Sequence, residues 1–271
     1  MNGIIINIDP VAAHIGGIEI RWYSLAILTA VIVGTWIAAR EAKGKGIDPG
    51  DIYSLAIWVV LGGILGARLF HVIENLGYYA DNPADLMKFE GLAIWGAVAG
   101  GGVATVIYTR LRQLPLRRMA DVTVPGLLVG QIIGRLGCIV NGDAYGDVTG
   151  LPWGFIYKHP DASIPSRLLN VPTHPYPVYE MIWNAVILLT VLFFLRRYLK
   201  TDGMLFLSYL SFYAVGRFAL SFVREEKVWF WGLQEAQVVA IVVLALSAGA
   251  ILYLAKKPTI KANAGMVLQQ G

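Results

Sequence analysis

The sequence predicts an all-α polytopic membrane protein with seven transmembrane helices and a small extracytoplasmic loop platform. Three observations carry that reading. The 271 residues are 56% hydrophobic and only 15% charged, with a mean hydropathy of +0.60, which is more apolar than a soluble domain needs for its core. Seven apolar stretches approach the length of about 20 residues that crosses a bilayer. The loops between them alternate between rich and poor in Lys and Arg.

The stretches run over 21–39, 52–74, 91–109, 121–140, 177–195, 203–223 and 235–255. The first is followed by Arg40, Lys43 and Lys45. The second carries Gly62-Gly63-x-x-Gly66 and leads to a loop, 75–90, with Tyr78, Tyr79 and Lys88. The third carries Gly96-x-x-x-Gly100 and ends at Arg110, Arg112, Arg117 and Arg118. Both glycine patterns are small-xxx-small spacings that let helices approach closely. In the fourth, Gly134 and Gly137 flank Arg135 and are expected to open space for a ligand. A long segment, 141–176, follows, rich in Pro, Gly and aromatics (Trp153, Phe155, Tyr157, Tyr176). The fifth stretch ends at Arg196, Arg197 and Lys200, the sixth at the loop REEKVWFWGLQ (224–234), and the seventh at Lys256, Lys257 and Lys261.

The other loops hold Arg21, Lys88, Lys158, Arg167, Arg224 and Lys227, mostly diluted by Asp and Glu. Short basic loops stay in the cytoplasm, so the N-terminus is expected outside and the C-terminus inside. The outward aromatics fit either a headgroup-level belt or, for the 141–176 segment with its unusual length, a platform that receives a substrate. One integral membrane domain, 1–271, is expected, with 141–176 as an extracytoplasmic region within it.

Several functions are excluded. A single cysteine, Cys138, leaves no intrachain disulfide and no Cys-cluster metal site. His14, His71, His159 and His174 show no metal-ligand spacing, so no metal is expected. The net charge is +4 and the pI near 9.1. The basic residues nevertheless fall in short loops between apolar spans, so no nucleic acid is expected as partner. The first twenty residues lack a basic n-region and contain Asp9 and Glu19, so no cleavable signal peptide is expected.

Arg68, Arg135 and Arg217 sit where membrane helices normally carry Leu or Val. A mid-bilayer arginine costs about 2.5–3.5 kcal/mol on insertion scales, so such residues face a cavity or a partner. None of the three has an acidic residue at i±3 or i±4. Their partner is therefore expected to be an anion outside the protein, with a phospholipid head group the obvious choice. At about 1.5 Å per residue, all three lie roughly 8–10 Å below the outer ends of their spans, close enough to snorkel toward the phosphate plane.

Tyr23, His71, Trp95, Asn141, Asp143, Tyr179 and Glu180 fall at the same level. Gly142 and Gly146, just past the fourth span, permit backbone turns closed to other residues. Cys138, in an apolar helix, reads as a small buried filler. A site at the outer face cannot draw on ATP, nucleotide-sugars or coenzyme A, whereas a lipid that carries its own leaving group fits. The bland alternative is three independent snorkelling arginines. A transporter or channel for an anionic or lipid substrate is a second class, but it calls for inverted repeats and midplane polar groups. An intramembrane protease calls for a Ser/His or paired-Asp arrangement within the spans, which the sequence does not offer.

The stretch Gly134-Arg135-Leu136-Gly137-Cys138-Ile139-Val140-Asn141-Gly142-Asp143-Ala144-Tyr145-Gly146 resembles the signature G-R-x-G-N-F-x-N-x-E-x-x-G of the bacterial prolipoprotein diacylglyceryl transferases. Shorter family-like elements follow the same order along the chain. They are Arg21-Trp22-Tyr23, Gly66-Ala67-Arg68, Gly91-Leu92-Ala93-Ile94-Trp95-Gly96, His174-Pro175, Tyr179-Glu180 and Tyr213-x-x-Gly216-Arg217-Phe218.

The resemblance implies transfer of the diacylglyceryl group of phosphatidylglycerol to the lipobox cysteine of a preprolipoprotein, with loss of glycerol 1-phosphate. Phosphatidylglycerol is then a substrate, and no cofactor is implied. It further implies Arg135 as the prime phosphate-binding residue and Arg217 as the second, with Arg68 supporting from its depth. Asn141, Asp143 and Gly146 join the lipid-binding set. Trp95, His71, Tyr179 and Glu180 have supporting places. The substrate thiol must lose its proton, since the thiolate is the nucleophile. Tyr23 is a candidate acceptor on resemblance and depth, and His71 on chemistry alone. Three departures stand out: Trp95 where many members have a histidine, Cys138 where the signature has Asn, and Asp143 where it has Glu.

Overall fold

Within hydrocarbon a chain must satisfy its backbone N–H and C=O groups internally, so each apolar stretch has to form a helix. The computed structural model describes residues 3–87, 91, 93–224, 226 and 228–256. Four loop cations counted above, Lys88, Lys227, Lys257 and Lys261, lie outside the described residues, as does Leu92.

The chain begins with strand β1 (Ile4–Ile6) and a hairpin of β2 (Val11–Ile15) and β3 (Ile18–Arg21). Helices α1 (Trp22–Gly44), α2 (Pro49–Glu74), the short α3 (Leu76–Asp81), α4 (Ile94–Leu111) and α5 (Leu116–Asn141) follow. Asp48 caps α2 by accepting from the Gly50 N–H at 2.9 Å, with Pro49 in its first turn. Gly142, at φ +78°, ends α5 in the left-handed conformation.

Strands β4 (Phe155–Tyr157) and β5 (Pro172–Thr173) lie in the long segment after α5. Helix α6 (Tyr176–Thr190) continues through a π turn at Val191–Leu195 into α7 (Arg196–Tyr198). Helix α8 (Met204–Ser221), the hairpin β6 (Val228–Phe230)–β7 (Leu233–Gln234) and α9 (Glu235–Lys256) complete the order. The Asp121 carboxylate of α5 accepts the backbone N–H groups of Gly203 and Phe206, both at 2.8 Å, and so caps α8.

Six of these elements are long and apolar enough to cross a membrane: α1, α2, α5, the continuous α6–α7, α8 and α9. The third expected span appears as α4, which is not one of the six. Its 18 residues include Gly96, Gly100, Gly101 and Gly102 in place of larger apolar side chains, and Arg110 in its last turn. The boundaries also move. Arg40, Lys43, Arg117, Arg118, Arg196 and Arg197 ride on helix ends rather than in loops.

The expected glycine contacts form. Helix α4 runs antiparallel along α2: Gly66 meets Gly96 and Gly62 meets Gly100 so closely that a Cβ on any of the four would strike the opposing backbone. At the far end of the pair the Tyr108 hydroxyl donates to Asp51 at 3.1 Å. Helices α1 and α5 pack the same way through Gly34 and Gly126. Helix α5 is the central one. In its most apolar stretch 44% of residues are buried, against 6–28% in the other five. The exposed sides of the outer helices are apolar, with Leu28, Ile32, Leu65, Leu69, Leu246 and Leu252 all uncovered, which is how a surface solvated by lipid is built.

The segment after α5 has a core of its own. Phe155, Tyr157, Ala162, Ile164 and Leu168 are buried together. The aromatic-belt reading therefore fails for Phe155 and Tyr157, whereas Trp153 stays 48% exposed. Strand β4 pairs antiparallel with β5 and, on its other edge, parallel with β1. The first strand of the chain is thus fastened to the segment that follows α5, a link the sequence reading did not anticipate.

Candidate active site

Arg135 on α5, Glu180 on α6 and Arg217 on α8 converge. One carboxylate oxygen of Glu180 pairs with Arg135 Nη2. The other lies 3.8 Å from Arg217 Nη1 and accepts the Tyr176 hydroxyl at 3.1 Å. Tyr176 stands one turn before Glu180 on the same face of α6, and its oxygen accepts a hydrogen bond from Arg217. Arg217 also pairs with Glu226 at 2.6 Å, and Glu226 takes Arg224 at 2.9 Å. The guanidinium of Arg224 lies 4.9 Å from the centre of the Tyr176 ring. Glu180 is the most buried of these ions, its side chain 6% exposed against 24% for Arg135 and 20% for Arg217.

The expectation of an external anion is corrected here. The arginines of α5 and α8 do have a carboxylate, supplied by a different helix and therefore invisible to an i±4 search. Among the described residues, three guanidinium groups share two carboxylates, which leaves one positive charge in surplus when all five are ionised.

Other predicted residues border this group. Tyr23 packs against the buried Cys138, Ala144 and Tyr176. Gly137 is filled from the α1 side, where Ala26 and Tyr23 press on it, so it opens no room for a ligand. The Asn141 side chain accepts from Arg21 at 3.3 Å, and its carbonyl accepts from the Ser163 N–H. Asp143 is exposed, and its charge, after burial, helps push the Tyr157 phenol above its ordinary range. Gly146 hydrogen-bonds the His174 carbonyl, and a Cβ there would collide with the Val223 carbonyl oxygen, so only glycine lets this loop lie against the end of α8. The Tyr179 hydroxyl meets Trp153 Nε1 at 3.1 Å and His174 Nδ1 at 3.2 Å.

Arg68 belongs to a different group, contrary to the expected trio. It donates to the Tyr79 hydroxyl at 3.0 Å and to the carbonyls of Asp85 and Leu86. His71 stacks edge-on with the same Tyr79 and lies under Gly91. Equal depth does not mean a shared site, because helices at one level still face different ways. Trp95 Nε1 donates to Glu235 at 2.6 Å. Arg135, three residues before Cys138, donates to its sulfur at 3.6 Å, a contact the filler reading passed over. Asp9, His159 and Asp161 bring their ligand atoms within 4.8 Å of one another, although their sequence spacing gives no hint of it; the two carboxylates are exposed.

Sequence reasoning missed Tyr176 as a polar group, together with Arg224 and Glu226. The first had a signal in its i, i+4 spacing to Glu180. The other two sat in a loop read only for its charge balance.

The model of the prolipoprotein diacylglyceryl transferase family matches residues 10–253. The chain belongs to that family. Among curated relatives, the phosphatidylglycerol–prolipoprotein diacylglyceryl transferase of Dehalococcoides mccartyi (strain CBDB1) is 37% identical over 253 residues, 93% of this chain and 96% of that one. The proteins of the same name from Clostridioides difficile (strain 630) and Thermosynechococcus vestitus are 35% and 38% identical, over 92% and 90% of this chain and 96% and 93% of theirs. The resemblance carried by residues 134–146 is thus borne out over nearly the whole chain. The resemblance led to the expectation of a histidine at the position of Trp95. An indole only donates, so no proton can be accepted at that position.

Proposed function

We propose that this chain transfers the diacylglyceryl group of phosphatidylglycerol to the lipobox cysteine thiol of a preprolipoprotein and releases glycerol 1-phosphate. The observation that carries the reading is the convergence of Arg135 and Arg217, from two helices, on one buried carboxylate in a chain of this family. A thiolate forms a C–S bond at the glyceryl carbon, and the C–O bond to phosphate breaks with its electron pair. The phosphodiester begins with one negative charge and leaves with nearly two. The surplus positive charge of the Arg135–Glu180–Arg217–Glu226–Arg224 group matches the first, and two fixed guanidinium groups in a mostly buried setting stabilise the growth of the second. Glu180 holds those groups in place before the lipid arrives. Arg135 and Arg217 grip the phosphate, and Tyr23, packed beside Cys138 and Tyr176, is the candidate that takes the thiol proton while passing its own phenolic proton on toward the departing phosphate. Asn141, Asp143 and Gly146 shape the adjoining turn. Arg68 and His71, with Tyr79, are assigned to a separate group rather than to the phosphate. No cofactor enters.

The topology we infer has seven spans in the bacterial cytoplasmic membrane, N-terminus outside and C-terminus inside, with 141–176 as an outer platform. Support comes from the pairing of β1 with β4. These strands lie on opposite sides of α1, α2, α4 and α5 in the chain, and they can meet only if an even number of those helices cross. With α1, α2 and α5 read as crossing, this parity supports a crossing by α4 as well, and α4 lies along the length of α2.

The test is transfer of labelled diacylglycerol from phosphatidylglycerol to a lipobox peptide in reconstituted vesicles. Wild-type protein transfers the label, and Arg135→Ala lowers the rate at least about 100-fold, the usual loss when one transition-state donor is removed. Near-normal transfer by that variant, or full activity without phosphatidylglycerol, overturns the assignment.

A further inference from the structure

The hydrogen bond from Trp95 to Glu235 joins two parts of the molecule that otherwise touch little. Trp95 stands in the first turn of α4, and that turn is rigidly seated on α2. The Ala93 N–H bonds the Ala67 carbonyl at 3.2 Å, Gly91 sits against the His71 ring, and Gly96 packs backbone to backbone with Gly66. Glu235 is the first residue of α9 and follows directly on the β6–β7 hairpin. The other end of that hairpin carries Arg224 and Glu226, the pair that meets Arg217 and Tyr176. Gln234 ties the hairpin to its own base, donating from Nε2 to the Arg224 carbonyl at 3.0 Å and from its backbone N–H to Gln237 at 3.0 Å. Those bonds are internal to the hairpin and α9. The 2.6 Å indole–carboxylate bond joins this unit to the α2–α4 pair.

We propose that Trp95 and Glu235 are positioning residues, a strut that holds the hairpin so that Glu226 and Arg224 keep Arg217 aimed at the lipid phosphate. The inference rests on the reading of Arg217 as a phosphate ligand. The strut touches neither lipid nor peptide. Without it α9 stays packed on α8, with Ser247 bonded to Ser211, but the side of the hairpin that faces α4 loses its restraint, Glu226 drifts from its place, and Arg217 must be ordered anew for each lipid bound. Such a loss weakens lipid binding in ground state and transition state alike, which raises KM and spares kcat.

Steady-state transfer assays on reconstituted full-length protein decide the matter, with phosphatidylglycerol and lipobox peptide varied separately. Trp95→Phe keeps the ring and removes the donor; Glu235→Ala removes the acceptor; Glu235→Gln keeps an oxygen that accepts. Trp95→Phe and Glu235→Ala are each expected to raise the KM for phosphatidylglycerol about three- to tenfold, with kcat and the peptide KM unchanged within about twofold. Glu235→Gln should stay near wild type, and the double variant should be no worse than the worse single, as for partners in one interaction. Additive losses, equal damage by Glu235→Gln and Glu235→Ala, or a fall in kcat with the lipid KM unmoved each overturn the strut. If Trp95→Phe fails to accumulate, the two Glu235 variants carry the decision alone. A wild-type protein without transfer activity would instead refute the proposed function, which keeps the two failures distinct.

Discussion

The two ends of the helix bundle use the same side chains in opposite ways. At the end where α1, α4 and α7 finish, three ion pairs form one to one. Arg112 meets Asp51 at 3.3 Å, Arg118 meets Asp202 at 3.0 Å, and Arg196 meets Glu41. Two of those arginines are wet, with side chains 63% and 44% exposed. At the other end Arg135, Arg217 and Arg224 share Glu180 and Glu226 through Tyr176, and the central carboxylate is almost wholly buried. Exposed pairs of the first kind contribute little, about 0–1 kcal/mol each. A buried group of the second kind is costly to assemble, because each ion surrenders its water. Several donors turned toward one carboxylate, with positive charge left over, are the geometry on which the proposed phosphate site rests.

The sharpest way to break this comparison is Glu180→Ala. It leaves two mostly buried guanidinium groups without their shared carboxylate, a loss of about 3–5 kcal/mol for breaking a buried pair. The expected result is a lower thermal midpoint in detergent and transfer reduced at least as much as the stability loss dictates. A variant with wild-type stability and activity would show that the Glu180 group is no more demanding than the one-to-one pairs. Arg68→Ala probes the contrast within one depth. Arg68 bonds Tyr79 and two backbone carbonyls rather than Glu180, so the expected loss is no more than about tenfold in transfer, well short of that from Arg135→Ala. A loss equal to that of Arg135→Ala would return Arg68 to the phosphate. Arg118→Ala, at the opposite end of the bundle from Glu180, should change transfer by less than twofold and stability by about 0–1 kcal/mol. A large effect there would erase the distinction between the two ends.

The polar groups legible in the sequence were those whose partners follow from spacing or from the resemblance. Arg135, Arg217, Glu180 and Tyr23 were singled out, and all four lie in or beside one group. Arg68 was grouped with them on depth, which fixes a height in the membrane but leaves the angle around the helix open. Gly137 was read as open space, although α1 fills it. Arg224 and Glu226 were counted only as loop charges, because nothing local says that the loop folds back on Tyr176.

By itself the sequence determined that this is a multi-pass helical membrane protein, where most of its helices lie, and which family it resembles. Those properties depend on local periods and on the free energy of moving side chains into lipid, both of which are written along the chain. The tertiary structure decided who partners whom. It gave the two arginines a carboxylate from another helix, placed Arg68 apart, joined β1 to β4 and set Trp95 against Glu235. The reason is physical: an ion pair or hydrogen bond between helices depends on how their faces are turned when they pack. That orientation is set by many small contacts, such as Gly66 on Gly96 and Gly34 on Gly126, acting together.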